Sequence, residues 1–391
     1  MKRKNLAPRV TAAAFLLLLG FLTADNLGIL VNTAKSYLRR EISFSGVMHQ
    51  ITEGYQETLH QKETLISLNG AYMRITGARV SNGVVRMKNG MLTEESSPAD
   101  PGYAAGQITQ LYQYLQDRNT PFLFVESPRK PDLSGSLMPE GTESHCHENA
   151  DGLLRLLNAN GVPTLDLRPE LVGSVDVLEQ YFYRTDHHWN AEGAFVAFQR
   201  ITESLQNQFP TETIVSGMTQ RENWEKHTLP DYFLGSHGRR VGTGFAGVED
   251  FLYLTPRFDT QMSCSVPSDG IYREGSFAEA ALAMERITGK PDYYSSSPYD
   301  VHTGENYPFV HFHCETAPSH KKVLMLKDSF GLPVEGFLAT VFREVETLDL
   351  RHLKDTTAVE VIAQFQPDMV IVMYNPYVMT GELLQFGLDE Q

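Results

Sequence analysis

Asp186, His187, His188 and Trp189 stand side by side in the run Tyr183-Arg184-Thr185-Asp186-His187-His188-Trp189-Asn190. An acid beside two imidazoles is what general base catalysis needs: the carboxylate orients a ring and the ring takes a proton. The following stretch, Ala191 to Asn207, carries apolar residues at Ala194, Phe195, Phe198, Ile201 and Leu205. That spacing predicts a helix, with Asn190 as its N-cap. The acid and imidazoles then occupy the turn before a helix N-terminus, where the positive end of the dipole disfavours imidazolium. A base also needs a proton source. The apolar run Val323 to Lys327 reads as a buried strand, and it ends in Asp328-Ser329-Phe330-Gly331. A helix-like run with Pro333 near its first turn comes next. A serine on such a strand-to-helix turn is exposed, with backbone N–H groups placed to face an oxyanion. Ser329 as nucleophile, His188 as base and Asp186 as orienter thus make a Ser-His-Asp arrangement for acyl transfer. His187 is the alternative base; the Asp-x-His spacing and the Trp that follows favour His188.

These residues need a scaffold. Gly102 to Arg118 and Asn149 to Asn160 read as helices, and Pro121 to Glu126 and Val162 to Leu167 as strands. The pattern returns after the insertion. Strands are predicted at Val323 to Lys327, Val345 to Leu350 and Met369 to Tyr374, with helices at Leu332 to Phe342 and Thr357 to Phe365. Alternation of this kind predicts an α/β fold: a parallel sheet with helices on both faces. Ligands of such sheets bind beyond the carboxyl ends of the strands, where Ser329 and Tyr374-Asn375 fall. Ala71 to Glu94 alternates in a strand-like way, with Asn82-Gly83 and Asn89-Gly90 as turn signals, so small hairpins are expected there.

Residues 208–320 change texture: Gly, Ser, Tyr and Pro become frequent. Phe251 to Leu254 and Phe309 to His313 predict strands of a small β-rich insertion. The Gly-rich basic run Tyr232 to Gly242 follows no expected strand and lacks the Lys-Ser/Thr pair of a phosphate loop. It reads as a loop, either one that brings backbone and Arg239 or Arg240 to an acidic substrate group, or a turn with solvated arginines. His311 and His313 alternate onto one strand face, as strand histidines rather than a metal pair. Cys146 lies between His145 and His147, but no second cluster completes a metal site. Cys264 and Cys314 either pair or, with Cys146, remain thiols. No metal and no cofactor is expected.

The chain has 391 residues, 41% hydrophobic and 21% charged, with a formal net charge of -15. It lacks the basic excess of a nucleic-acid binder and of a protein docking by charge on anionic lipid. Lys2, Arg3, Lys4 and Arg9 precede the apolar run Val10 to Ala24, a basic flank and hydrophobic stretch of the export type. The run falls short of the roughly 20 residues of a comfortable span, though Leu27 to Val31 extends it. Leu22-Thr23-Ala24 is a poor cleavage site. Residues 1–31 are expected to be a signal-anchor, or else a cleaved signal peptide, with the remainder exported. Residues 32–99 read as a stalk and small hairpins, and residues 100–391 as the main domain.

The chain resembles the DHHW proteins, relatives of the alginate acetylation proteins AlgX and AlgJ within the SGNH hydrolase-like superfamily. The resemblance rests on Asp186-His187-His188-Trp189 and Lys327-Asp328-Ser329-Phe330, and covers roughly residues 100–380. Ordinary SGNH enzymes have the Ser first and the Asp-x-x-His last. The alginate-type branch reverses that order, as this chain does. The resemblance implies an SGNH-like three-layer α/β/α domain, with Asp186 orienting, His188 as base and Ser329 as nucleophile. Lys327 departs from the Gly that many SGNH enzymes place before Asp-Ser. The implied activity is O-acetylation of an extracellular or cell-envelope polysaccharide, with a membrane-bound O-acyltransferase supplying the acyl group. The Ser329 N–H is expected to hold the oxyanion, with Gly238 or Asn375 as partner donor. Arg239 and Tyr374 are candidates for the substrate side, and Trp189 either packs under the site or stacks on a sugar ring. Two other readings stand beside this one: an SGNH-type esterase, and a non-catalytic glycan-binding or assembly protein on a degenerate SGNH scaffold.

Overall fold

The computed structural model describes residues 62–208, 216–375 and 381–388, with a few positions between 31 and 47. The segment expected to be an anchor or signal peptide lies, but for Val31, outside the described residues, as does most of the expected stalk. Among the described residues no helix is long and apolar enough to cross a membrane. The chain divides into Met1–Asn69 and Gly70–Gln391, and the architecture below belongs to the second unit.

Its strands are β1 (Val80–Ser81), β2 (Val84–Arg86), β3 (Leu92–Thr93), β4 (Phe122–Glu126), β5 (Thr164–Asp166), β6 (Trp224–Phe233), β7 (Glu249–Pro256), β8 (Met262–Val266), β9 (Ile271–Gly275), β10 (Phe309–Cys314), β11 (Ser319–Lys327), β12 (Phe342–Leu348) and β13 (Met369–Tyr374). An eight-stranded sheet runs in the order β5-β4-β13-β11-β12-β10-β8-β9. From β5 to β12 neighbours are parallel. From β12 to β9 they are antiparallel. The sheet is thus mixed rather than parallel throughout. The β-rich insertion does not stand apart either: β8, β9 and β10 extend the main sheet past β12. Val310, Phe312 and Cys314 alternate inward on β10 and are fully buried, which carries the apolar core across the join. The β6–β7 hairpin forms a sheet of its own.

Alternation along the central strands builds the layers. Leu123, Val125, Val323, Met325, Ile371 and Met373 face one apolar cluster, with Phe195, Phe198, Leu332 and Phe337 from the helices Ala191–Gln208 and Gly331–Ala339. Phe122, Phe124, Leu324, Leu326, Val370 and Val372 face the other, against the helices Gly102–Gln116, Cys146–Ala159 and Ala358–Phe365. Strands apolar on both faces need a helix layer on each, which is the three-layer α/β/α arrangement. Each fully buried Leu, Val or Phe contributes roughly 1.5–3 kcal/mol. Every residue of Gly331–Ala339 is buried, so the turn before it is held between two packed elements.

Two local expectations are corrected, and the alternative left open for the cysteines resolves to thiols. Ala71 to Ile75 belongs to the helix Lys62–Ile75, which runs on through Gly70, a position where a Cβ would stand 2.2 Å from Val241 O; hairpin pairing starts at β1. The Gly-rich basic run does follow a strand, β6, and folds as the short helix Ser236–Val241 between Gly235 and Gly242. All three cysteines are buried thiols. Cys264 lies opposite Phe312 and Cys314 opposite Met262, so the two are diagonal neighbours on adjacent strands.

Candidate active site

The turn carrying Asp186 is pinned from several sides. The Asn190 side-chain oxygen accepts from Glu192 N (2.9 Å) and Gly193 N (3.1 Å), capping Ala191–Gln208. The buried Lys130 ammonium donates to Tyr183 O at 2.8 Å. Burial pushes that amine down to about 7. Glu249 of β7 accepts from Arg184 N (2.7 Å) and Thr185 N (2.6 Å). Gly235 packs against the same turn, and a Cβ added there would stand 2.3 Å from Asp186 Cβ, so only glycine allows the approach.

Ser329 lies between the end of β11 at Lys327 and the start of Gly331–Ala339. Asp328 shapes the elbow: its carboxylate accepts from Phe330 N (2.9 Å) and from Asn375 N (2.8 Å) beyond β13. Gly331 follows because a Cβ there would meet the Lys327 side chain at 2.6 Å. Lys327 itself is fully buried, its Nζ 3.5 Å from the equally buried Glu335 carboxylate. The departure from Gly thus fills the space under the elbow with a buried Lys327–Glu335 contact.

The structure brings Asp186, His188 and Ser329 into one chain of hydrogen bonds. His188 Nδ1–H donates to Asp186 Oδ1 at 2.7 Å. His188 Nε2 stands 2.7 Å from Ser329 Oγ and accepts its hydroxyl. The second Asp186 oxygen accepts from Ser236 N at 2.6 Å. Burial pushes the Asp186 carboxyl up, but His187, His188 and the Ser236 N–H outweigh it and hold the group well below the usual carboxylate range. His187 faces Ser236 Oγ at 2.7 Å, so the geometry gives the serine to His188. Burial, then the adjacent His188, pushes His187 well below the usual imidazole range. The ligand atoms of Asp186, His187 and His188 lie within 4.8 Å of one another, yet both nitrogens of His188 are engaged, one by Asp186 and one by Ser329. His188 thus belongs to a hydrogen-bonded chain with Asp186 and Ser329, and His187 lies beside that chain.

A cavity of about 670 Å³ opens on Ser329 and is lined also by His237, Arg129, Arg240, Arg351 and Asn375. Glu94 sits in the same wall, paired with Arg129 and, at 3.1 Å, with Arg240. Arg351 is held by Asp349 through Nε at 2.9 Å. Burial, then Lys130, pushes His237 down to about 3, so it is neutral. The Asn375 amide donates to Ser127 O at 3.1 Å and faces the cavity.

The other sequence candidates divide. Gly238 donates its N–H to Thr185 O at 2.8 Å, so it is no oxyanion donor. Arg240 lines the cavity and Arg239 does not. Trp189 is fully buried, edge-on to Phe330 with ring centres 5.1 Å apart; it packs under the site and has no face for a sugar. Tyr374 points its side chain into the opposite apolar layer. Arg129, Arg351, His237 and Tyr299 were not singled out. His237 had a signal, since it lies inside the Gly-rich run. Tyr299, stacked on His188, had none: no periodicity or motif marks its segment.

A serine at the carboxyl end of a parallel strand, met by a His-Asp pair from before a helix, stands on an α/β fold consistent with an SGNH hydrolase-like domain. A family model described as the SGNH hydrolase-like domain of acetyltransferase AlgX matches residues 88–231, the part holding Asp186 and His188. The solved structure of Bacillus cereus PatB1 superposes with a TM-score of 0.64 at 20% identity, over 78% of this chain and 99% of that one. A DHHW family protein from Eubacterium siraeum gives 0.56 at 18% identity, over 80% and 96%. No curated protein sequence matches. The AlgX-type and DHHW resemblance read from the two motifs therefore holds, and the structural likenesses, at these identities, speak to fold.

Proposed function

We propose that this chain is an exported O-acyltransferase, moving an acyl group, as acetyl, through an acyl-Ser329 intermediate to a hydroxyl of an extracellular or cell-envelope polysaccharide. The observation that carries the reading is the unbroken Asp186–His188–Ser329 hydrogen-bond chain opening on the cavity. His188 Nε2 takes the Ser329 proton as Oγ bonds to the acyl carbon and the carbonyl electron pair moves onto oxygen. Asp186 holds the ring and stabilises the imidazolium. The Ser329 N–H, which donates to no described group, faces the oxyanion, with the Asn375 amide as the second donor. The pair returns, the donor's leaving group departs with the His188 proton, and acyl-Ser329 remains. An acceptor hydroxyl then gives its proton to His188 and attacks the acyl carbon; the adduct collapses, the bond to Ser329 Oγ breaks and Oγ takes that proton back from His188.

Sugar and water compete for that second step, and orientation within a cavity of about 670 Å³ favours a saccharide end. The acyl donor in this reading is a membrane-bound O-acyltransferase, and residues 1–31 keep the domain beside it on the outer side of the membrane. Protease accessibility in intact cells tests that location; a protected domain refutes it. The family match to a model described as acetyltransferase supports the acyl group.

The deciding experiment exposes the protein to an activated acetyl ester and follows Ser329 by mass spectrometry, with and without a panel of oligosaccharides. Acetyl on Ser329 that moves to sugar is expected, with none in Ser329→Ala. Acetyl lost to water with every sugar unchanged means an esterase. An absence of Ser329-dependent acetylation overturns both enzyme readings. PatB1 has also been solved with a sulfonyl adduct, which makes a sulfonyl reagent a second probe of Ser329.

A further inference from the structure

Tyr299 reaches the triad from outside the turn and the elbow. It sits in the single-turn helix Pro298–Val301 of the insertion and is 3% exposed. Its ring lies nearly parallel to His188, centres 4.2 Å apart and planes at 11°. Its hydroxyl donates to Ser329 O at 3.3 Å. It therefore contacts both members of the serine–histidine pair, the His188 ring through its face and Ser329 through the backbone carbonyl. His302 stands edge-on to its ring at 5.7 Å, which fixes the ring's plane.

The face of an aromatic ring is the negative part of its quadrupole. A neutral imidazole gains little from that face, and an imidazolium is attracted to it. His188 is imidazolium only while it holds the Ser329 or acceptor proton, around the tetrahedral states on either side of the acyl-enzyme. An interaction that strengthens only then raises the rate without tightening substrate binding. The other groups around His188 are Asp186 at Nδ1, the His187 ring at 3.7 Å, Phe330 at 4.9 Å, and Asp328, Asp300 and His302 further off. Burial, then His188, pushes His302 down to about 3, so it adds no charge. Burial pushes the Asp300 carboxyl up to about 6. Burial also holds the Tyr299 phenol well above its ordinary value, so it remains a donor to Ser329 O.

We infer that Tyr299 is a positioning residue of the triad: its ring face stabilises His188 when it carries the transferred proton, while its hydroxyl ties that ring to the nucleophile elbow. The inference rests on the acyl-transfer reading above.

The test uses the full chain and measures acyl-enzyme formation with an activated acetyl ester. Tyr299 is replaced by Phe, by Leu, and by phenylalanines of rising fluorine content, which keep the ring's shape and weaken its negative face. Tyr299→Phe is expected within about threefold of wild type, and Tyr299→Leu about tenfold or more down in kcat with KM unchanged. Fluorination lowers kcat stepwise while KM and Tm hold, a trend that a purely structural ring would not produce. Equal kcat for Phe and Leu, or a flat fluorine series, overturns the inference. If Tyr299→Leu fails to fold, the fluorine series decides alone. A wild-type protein that never acylates Ser329 overturns the acyl-transfer reading and this inference with it; a wild type that acylates with a flat series overturns the inference only.

Discussion

His188 and His311 both stand among carboxylates, yet they end in opposite situations. His188 is 7% exposed, gives one nitrogen to Asp186 and offers the other to a hydroxyl. His311, on β10, meets Glu344 through Nε2 at 2.9 Å and Glu346 through Nδ1 at 3.2 Å, both on β12. His313 repeats this with Glu344 at 2.6 Å and Glu315 at 3.0 Å. An imidazole with a carboxylate on each nitrogen is satisfied only as imidazolium, with both nitrogens donating. That makes a half-exposed ladder of alternating charge with no nitrogen left to act as a base. What separates the regions is the partner of the second nitrogen, and topology sets that partner. The triad assembles where a parallel strand ends and opens; the ladder lies along paired antiparallel strands, where residues opposite each other are fixed by register.

The comparison breaks most visibly at the serine. Ser329→Ala and His188→Ala should each lower the rate of activated-ester turnover by about 10⁴-fold or more, and the double variant should be no worse, because the two act as one unit. Single-turnover rates check this; additive losses would mean that the two side chains do not share a proton.

Asp186→Asn should cost about 10²–10⁴-fold, since an amide no longer fixes the ring's Nδ1–H. His187→Ala, which removes a neighbour of Ser236, of Asp186 and, at 3.7 Å, of the His188 ring, should cost about tenfold or less in the same assay, and a larger loss from His187 than from His188 would transfer the base. The acid behaviour of the site has a definite sign. The Asp186 carboxyl is held below its unfolded value near 4, so its stabilisation is complete above that pH and is lost as pH falls through the folded value. Acid unfolding followed by circular dichroism should therefore begin at higher pH in Asp186→Asn than in wild type.

Much of this was legible in the residues themselves. The triad was, because Asp186-His187-His188-Trp189 and Asp328-Ser329 sit at a helix start and a strand end that periodicity marks. The five parallel strands were: β4, β11 and β13 hold apolar runs, while β12 starts at Phe342, before the predicted Val345, because its first residues carry the charged Arg343 and Glu344. The mixed sheet was not: β8 and β9 alternate like any half-buried strand, and their pairing onto β12 through β10 is a long-range choice that local spacing does not encode. Gly238, and not Gly235, stood out in the Gly-rich run as a candidate oxyanion donor. Gly235 turned out to be the close approach to Asp186, while Gly238 donates its N–H to Thr185 O. Tyr374 and Asn375, adjacent at one strand end, point to opposite sides because a strand alternates. Tyr299 lies in an irregular segment and reaches His188 only through the folded insertion.

The ladder gives the smallest expected effect. His313 is pushed up by its hydrogen bond to Glu315, opposed by slight burial and helped by Glu344. A folded value above the unfolded one, near 6.5, means that the stabilisation is fully present below about pH 6.5 and fades as pH rises through the folded value. The side chains are about a third exposed, so solvent and salt screening reduce the contribution to about 0.5 kcal/mol. His313→Gln should therefore lower urea-unfolding stability by about that amount at pH 5, and by nothing measurable at pH 9. Its acyl-enzyme kinetics should match wild type at every pH. A kinetic defect in His313→Gln would join the two histidine regions that the structure keeps apart, and a stability loss larger at pH 9 than at pH 5 would mean that His313 is not held as imidazolium.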